Sequence, residues 1–204
     1  MKKASLPQSQ RGISLLESLV AILVMALGIL GILGVQMRTL TNTQTGLYRS
    51  QAIRLIEDLN ERMMANPNAF QNTANYITSW SDTPSANTDC NTTTCNHSAM
   101  AEFDREQWKA MVTRTLPNGN ASVFFAQDET QDSNRRQLGV MISWRENESS
   151  DEDDYKNPLD ASSQSGDAVS CPANQTCHLQ FIPVVARCAP YFAGTHVQLF
   201  CPGA

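Results

Sequence analysis

The sequence predicts an α+β protein in which a long N-terminal α-helix precedes a globular head with an antiparallel β-sheet. Three observations predict this fold. Residues 13–35 form an almost uninterrupted apolar run, residues 36–66 continue with helical periodicity and without proline, and strand-like runs appear only in the second half of the 204-residue chain. A helix and a sheet that pack together bury one apolar face of each element.

The apolar run is long enough to cross a membrane. Of its 23 residues, 17 are apolar, and as a helix they would extend about 35 Å, against about 30 Å for a hydrocarbon core. Lys2, Lys3 and Arg11 precede the run, whereas Arg38 is the one nearby charge after it. This asymmetry predicts a single pass through a membrane, with the N-terminus in the cytoplasm and the rest of the chain outside.

Two features distinguish this segment from a plain anchor. Glu17 places a carboxylate inside the apolar run, where its charge is costly unless a cation pairs with it or it lies at the level of the lipid headgroups. Gly12 ends the short basic leader, so cleavage after it would free an α-amine on Ile13. The amine of a neighbouring subunit could then pair with Glu17, which predicts a docking contact between helices stacked side by side.

The segment from Gly12 to Ala21, GISLLESLVA, resembles the class III leader and N-terminal helix of type IV pilins and of type II secretion pseudopilins. The resemblance implies a type IV pilin-like fold and a cleaved leader over residues 1–12. It also implies that a membrane prepilin peptidase cuts after Gly12 and methylates Ile13. Glu17 would then guide the subunit into a filament.

The second half of the predicted helix is amphipathic. Its apolar residues recur at spacings of three and four, and Asn66-Pro67 ends the helix; they are Tyr48, Ala52, Leu55, Ile56, Leu59 and Met63. Residues 50–67 resemble the helix end of the PilV-like minor pilins, the type IV pilus modification proteins. We therefore expect a membrane or filament-core half over 13–35, an amphipathic half over 36–66, and a head over 67–204.

Three glycines interrupt the apolar half, and two interpretations stay open. Gly28, Gly31 and Gly34 each lower helix stability by about 1 kcal/mol relative to alanine. They could allow close helix packing in a membrane, or they could mark a segment that stretches or melts when subunits pack into a filament.

The head begins with a polar segment and continues with a second helix. Residues 67–99 are rich in Asn, Thr and Ser and predict a loop with little core of its own. A shorter amphipathic helix follows and ends at Leu116-Pro117; its apolar residues are Met100, Phe103, Trp108, Met111, Val112 and Leu116. Four runs then predict strands, and Pro183 places the third at an edge or a bulge; the runs are 121–127, 138–145, 178–187 and 195–200.

All six cysteines lie in the head, beyond the predicted membrane segment. In an exported domain we expect them to form disulfides. Cys90 and Cys95 share one loop and are predicted to pair, whereas the other four can pair in three ways; these are Cys171, Cys177, Cys188 and Cys201. Metal binding is the alternative, prompted by the neighbouring His97 and His178, but no Cys-x-x-Cys spacing supports it. We expect no metal and no cofactor.

Neither catalysis nor nucleic-acid binding is indicated. No phosphate loop, dinucleotide motif or nucleophile–base arrangement appears, so the chain is predicted not to be an enzyme. Its formal charge of −5 argues against direct binding of nucleic acid. Residues 146–154 hold six carboxylates, but they lack the spacing and glycine of an EF-hand, which favours a solvated loop over a Ca²⁺ site.

The predicted function is that of a minor pilin of a type IV pilus. The resemblance implies prepilin peptidase, other minor pilins and the major pilin as partners. It also implies a head in the periplasm before assembly and in the pilus at the cell surface afterwards. Pilus assembly or priming, twitching motility, adhesion or DNA uptake would follow from the filament. The alternative is a minor pseudopilin of a type II secretion system.

Overall fold

A computed structural model describes most of the chain, and its first element is one long helix. Helix α1 runs from Ile13 to Ala65, 53 residues, as the sequence predicts. Internal contacts divide the chain into two compact units, residues 1–44 and 45–204. The described residues are 13–85, 88–127, 137–146, 160–163, 168–184, 189–193 and 196–200.

The second half of α1 supplies one wall of the hydrophobic core of the head. Its predicted apolar stripe is buried, with Tyr48 half-buried beside it; the buried members are Ala52, Leu55, Ile56, Leu59 and Met63. Residues spaced by three and four share one helix face. The amphipathic pattern is therefore confirmed residue by residue.

The polar segment after α1 contributes more to the core than its composition predicts. Its turns are followed by a 3₁₀-helix at Thr73–Tyr76, and Ala69 and Tyr76 are almost completely buried. The amide nitrogen of Asn66 donates to Tyr76 Oη at 3.2 Å and to the carbonyl oxygen of His97 at 2.9 Å. The segment is mainly loop with little core of its own, as predicted, and its buried residues join the common core of the head. Asparagine side chains satisfy polar groups that burial would otherwise leave unpaired.

Helix α2, His97–Thr115, confirms the second predicted helix and begins three residues before Met100. Its start is set by a side chain, since Asn96 Oδ1 accepts a hydrogen bond from the backbone N–H of Ala99 at 2.8 Å. The helix ends before Leu116, and the aromatic ring of Trp108 is fully buried against the core.

Seven strands are described after α2. They are β1 (Asn120–Phe125), β2 (Gln137–Trp144), β3 (Asp160–Ser162), β4 (Ala168–Ser170), β5 (Thr176–Pro183), β6 (Ala189–Ala193) and β7 (His196–Phe200). The main sheet is antiparallel with the order β1-β2-β5, while β3–β4 and β6–β7 form two separate two-stranded sheets. Strands β1, β2, β5 and β7 were predicted, and β3, β4 and β6 were not. Pro183 is the last residue of β5, an outer strand of the main sheet, in agreement with the predicted edge position.

Strand β2 lies between two apolar layers. Alternate residues, Leu138, Val140, Ile142 and Trp144, join the core formed by α1 and α2. On the opposite face Met141 packs with Phe124 and Ala161. Because side chains alternate between the faces of a strand, a strand buried on both faces has few polar positions. The described elements thus form the predicted α+β arrangement of helices and an antiparallel sheet.

Candidate site on the N-terminal helix

The first part of α1 presents its side chains to the outside. Every described side chain from Ser14 to Gln44 is exposed. Hydroxyl groups are satisfied within the helix, because Ser18 Oγ donates to the carbonyl oxygen of Ser14 at 2.7 Å and Thr39 Oγ1 donates to that of Val35 at 3.0 Å. A helix that satisfies its polar groups internally can occupy an apolar environment. By length and composition, α1 is the one described helix that could cross a membrane.

Glu17 is the one charged residue between residues 13 and 37. It lies beside an open, mainly apolar groove along the helix surface; the groove is lined by Leu16, Glu17, Val20, Ala21, Val24 and Met25. A second helix laid in this groove would bury apolar surface and bring its own polar groups to the carboxylate. The described geometry therefore places a single carboxylate at an exposed, mainly apolar helix surface.

The predicted processing point is at the beginning of the described chain. Ile13 is the first residue of α1, and Gly12 lies outside the described residues. The helix continues through Gly28, Gly31 and Gly34, and a Cβ added to any of these would meet no atom within 4 Å. Their roles in packing or in stretching both remain predictions.

The head contains two disulfides among its described residues. Cys90 and Cys95, which the sequence predicts to pair, are joined with a Cα–Cα distance of 5.5 Å. A second disulfide joins Cys171 and Cys177, with a Cα–Cα distance of 5.9 Å. Both distances are ordinary for disulfides. Cys188 and Cys201 lie outside the described residues.

Within the described ranges, no group of three or more His, Cys, Asp or Glu side chains could hold a metal ion. Glu146 is the described member of the acidic run, and its Oε1 accepts a hydrogen bond from Trp144 Nε1 at 3.0 Å. The other five carboxylates of the run lie outside the described residues. His178 stands on β5, where burial and the nearby Arg49 lower its pKa.

A buried lysine on α2 was not predicted from the sequence. Lys109 is 2% exposed; its Nζ donates to Thr78 Oγ1 at 3.1 Å and to the carbonyl oxygen of Ser79. Burial lowers the pKa of Lys109, and the charges of Asp82 and Glu106 oppose that shift. The sequence contains an indication of this burial, since Lys109 directly follows Trp108 and lies about one helical turn before Val112, and both are on the apolar stripe of α2.

Two further charged residues of α2 hold the same segment. Arg105 Nη1 donates to the carbonyl oxygens of Asn75 and Ile77 at 3.0 and 3.2 Å. Glu106 pairs with Arg105 and accepts a hydrogen bond from the backbone N–H of Ser85 at 2.6 Å. These contacts attach the 3₁₀-helix and the residues that follow it to α2.

Comparison with known protein families locates two matches in the N-terminal half of the chain. The family described as prokaryotic N-terminal methylation motif matches residues 7–33, and the family described as Type IV pilin Tt1218 matches residues 34–106. No curated protein and no solved structure gives a significant match. The first match covers the last six residues of the predicted leader, Glu17 and most of the apolar part of α1. The second covers the rest of α1 and the start of α2. These two adjoining matches support the assignment of this chain to the type IV pilins, without distinguishing the PilV-like group among them.

Proposed function

We propose that this chain is a minor pilin of the PilV-like group, made as a precursor and incorporated into a type IV pilus. The observation that carries the proposal is the segment around Gly12, Ile13 and Glu17, in which a basic leader ends in glycine and an exposed apolar helix follows with one carboxylate in its first turns. Prepilin peptidase would cut after Gly12 and methylate the amine of Ile13.

In this proposal Glu17 acts as the docking group. Its carboxylate lies beside an apolar groove, where a charge without a partner is unfavourable. The amine of Ile13 on a neighbouring subunit would supply the opposite charge as its helix enters the groove. Apolar contacts would then drive helix association, and the ion pair would set the register between the two subunits.

The charges at the two ends of the apolar segment support the proposed orientation. Lys2, Lys3 and Arg11 would hold the N-terminus in the cytoplasm. The disulfides Cys90–Cys95 and Cys171–Cys177 require an oxidising compartment for the head. The proposed route therefore begins as a single-pass inner-membrane protein with a periplasmic head and ends in the pilus at the cell surface.

The proposed partners are other minor pilins and the major pilin, which would enter the filament through the same kind of helix contact. The subunit would prime or modify pilus assembly, and twitching motility, adhesion or DNA uptake would follow from the filament. No chemical reaction is assigned to the head. The large exposed apolar surface of α1 supports this role, because such a surface marks a membrane or protein interaction site.

Intact-mass measurement of the protein from membranes tests the processing step. We expect a chain that begins at Ile13 and is one methyl group heavier than the unmodified sequence. Replacement of Gly12 by a bulky residue should leave a precursor that is larger by the 12-residue leader. An uncut chain from cells with active prepilin peptidase would contradict the proposal.

Substitution of Glu17 tests the docking step. Glu17→Ala should insert into the membrane normally, yet its amount in sheared pili should fall at least about tenfold, because a charge-assisted contact is worth about 1.5–3 kcal/mol. Glu57→Ala is the matched control, since Glu57 is an exposed glutamate further along the same helix. Normal incorporation of Glu17→Ala would exclude Glu17 as the docking group.

A deletion strain separates the pilus role from the type II secretion alternative. We expect loss of surface pili or of twitching with normal export of secreted enzymes. Impaired enzyme export in cells with normal pili would assign the chain to the secretion system instead.

A further inference from the structure

One face of the exposed part of α1 carries a regular row of leucines. From Leu16 to Gln44, steps of three and four residues alternate without a break, which is the spacing of the two core positions of a heptad repeat. This row is named the leucine stripe, and all of its members are exposed. They are Leu16, Leu19, Leu23, Leu30, Leu33 and Leu40, with Ala26, Met37 and Gln44 at the remaining positions.

The leucine stripe is not a consequence of general apolarity. Of the eight leucines between residues 13 and 44, six lie on the stripe, whereas none of the seven isoleucine and valine residues does. Leucine, isoleucine and valine are similarly favourable in a hydrocarbon core, so contact with lipid alone would not separate them. Helix–helix packing does distinguish their shapes. The separation therefore indicates that another helix contacts this face.

The leucine stripe continues beyond the apolar run. Between residues 36 and 44 the apolar residues are Met37 and Leu40, and both lie on the stripe. Met37 is 71% exposed and Leu40 is 64% exposed, so nothing in the described chain covers them. An apolar face on an otherwise polar stretch of helix is typical of a surface that packs against another element.

The charges of α1 do not oppose contact between two copies of this chain. Residues next to the stripe on either side, at the flanking positions of each heptad, are all uncharged. Glu17 and Arg38 are the charged residues of α1 before Arg49, and both lie about 130° around the helix from the middle of the stripe. Gln44 is self-complementary, because a side-chain amide both donates and accepts hydrogen bonds. A second copy therefore fits the stripe without like charges meeting.

We propose that the leucine stripe binds a second copy of this chain, so that two α1 helices pair as a left-handed coiled coil. The helices are parallel, because Lys2, Lys3 and Arg11 orient both copies in the same way. Each stripe residue then meets its equivalent. Of the six residues that line the groove beside Glu17, only Leu16 belongs to the stripe. The pairing therefore goes beyond the proposed function and requires neither processing nor entry into a pilus.

Disulfide cross-linking of the full-length protein in membranes tests this pairing. Met37→Cys and Leu40→Cys place a thiol on the stripe, whereas the matched controls Thr39→Cys and Asn42→Cys place one on other faces of the same stretch. After oxidation we expect a species of twice the monomer mass that reduction reverses. The two stripe variants should give at least about tenfold more of it than the controls and the unsubstituted chain, because a disulfide requires Cα atoms within about 4.4–6.8 Å.

Three results of this experiment would overturn the proposal. Equal cross-linking at all four positions would indicate random collision, and no dimer at any of them would exclude the contact. A stripe product whose mass is not twice that of the monomer would identify a different partner. Glu17→Ala in the Leu40→Cys protein should leave the dimer unchanged, which separates this contact from docking through Glu17. Loss of the dimer in that variant would contradict the assignment of two different surfaces.

Sedimentation equilibrium of the full-length protein in detergent provides a second test. The double substitution Leu30→Ala and Leu33→Ala should raise the dissociation constant of the dimer at least about tenfold, because side-chain packing drives helix association in apolar surroundings. Met25→Ala with Ile32→Ala is the matched control, since it removes two similarly exposed apolar side chains away from the stripe. We expect the control to change the constant less than about threefold. Equal changes, or an unsubstituted chain that stays monomeric, would overturn the proposal.

Discussion

Trp108 joins the two helices of the head through a buried ring and one hydrogen bond. The ring is fully buried, and its Nε1 donates to the carbonyl oxygen of Leu55 at 2.6 Å. Leu55 lies inside α1, so its carbonyl also accepts the usual helical hydrogen bond. We predict that Trp108→Phe weakens the attachment of α2 to the second half of α1.

The loss of stability expected in Trp108→Phe can be estimated from these contacts. Loss of the hydrogen bond costs a net of about 1 kcal/mol, because the Leu55 carbonyl keeps its helical partner. Exchange of an indole for a phenyl ring removes roughly 40 Å² of buried apolar contact, which is about 1 kcal/mol at about 25 cal/mol per Å². The small cavity adds a similar amount. We expect the free energy of unfolding to fall by about 2–3 kcal/mol.

Urea unfolding of the full-length protein in detergent, followed by the fluorescence of the remaining tryptophans, measures this change. Trp80→Phe is the control, because Trp80 is half-buried and its Nε1 has no hydrogen-bond partner among the described residues. That control loses ring size without losing a hydrogen bond, and we expect a cost below about 1 kcal/mol. Equal costs for the two substitutions, or a cost of Trp108→Phe below about 1 kcal/mol, would refute this reasoning.

Three further predictions concern the stability of the head and use the same urea titration. Burial lowers the pKa of Lys109, so between its folded-state pKa and its ordinary value of 10.5 the unfolded state binds more protons, and the free energy of unfolding rises with pH. This rise should disappear in Lys109→Met. A rise that persists in the variant would belong to another group. Gly139→Ala should lower the free energy of unfolding by about 1–3 kcal/mol, because the added Cβ would lie 2.5 Å from the Phe124 ring. The control Gly46→Ala, with no atom within 4 Å, should be neutral or stabilising. Equal effects of the two substitutions would exclude a clash with Phe124. Asn66→Ala should cost about 3 kcal/mol, because the side chain makes three hydrogen bonds, two as donor and one as acceptor from the backbone N–H of Asn68. An unchanged urea midpoint would show that these bonds are replaced by water.

The helices could be predicted from the sequence because burial of one helix face places apolar residues at spacings of three and four. Leu55, Leu59 and Met63 recur at helical spacing, and all three are buried in the structure. The end of α1 is equally local, since Pro67 disfavours the helical conformation of the residue before it. Signals of this kind require no knowledge of distant parts of the chain.

The missed elements depend on contacts between distant residues. Strands β3 and β4 have three residues each, too few to establish an alternating pattern. Burial of Lys109 depends on acceptors about 30 residues earlier, at Thr78 and Ser79. Tyr76 enters the core because Asn66, ten residues away, hydrogen-bonds to its hydroxyl. Composition records the polarity of such residues but not the partners that allow them to be buried.

The residues proposed for processing and docking form a linear segment, so their proposal depends on the sequence alone. Gly12, Ile13 and Glu17 lie within six consecutive residues, so in the proposed function their recognition would not require a folded head. From Ser14 to Gln44 every described side chain of α1 is exposed, whereas the stripe from Ala52 to Met63 is buried in the head. The nearly continuous apolar run over residues 13–35 and the amphipathic periodicity of the second half of α1 reflect these two environments. The head can therefore change its surface without altering the segment that carries the proposed assembly function.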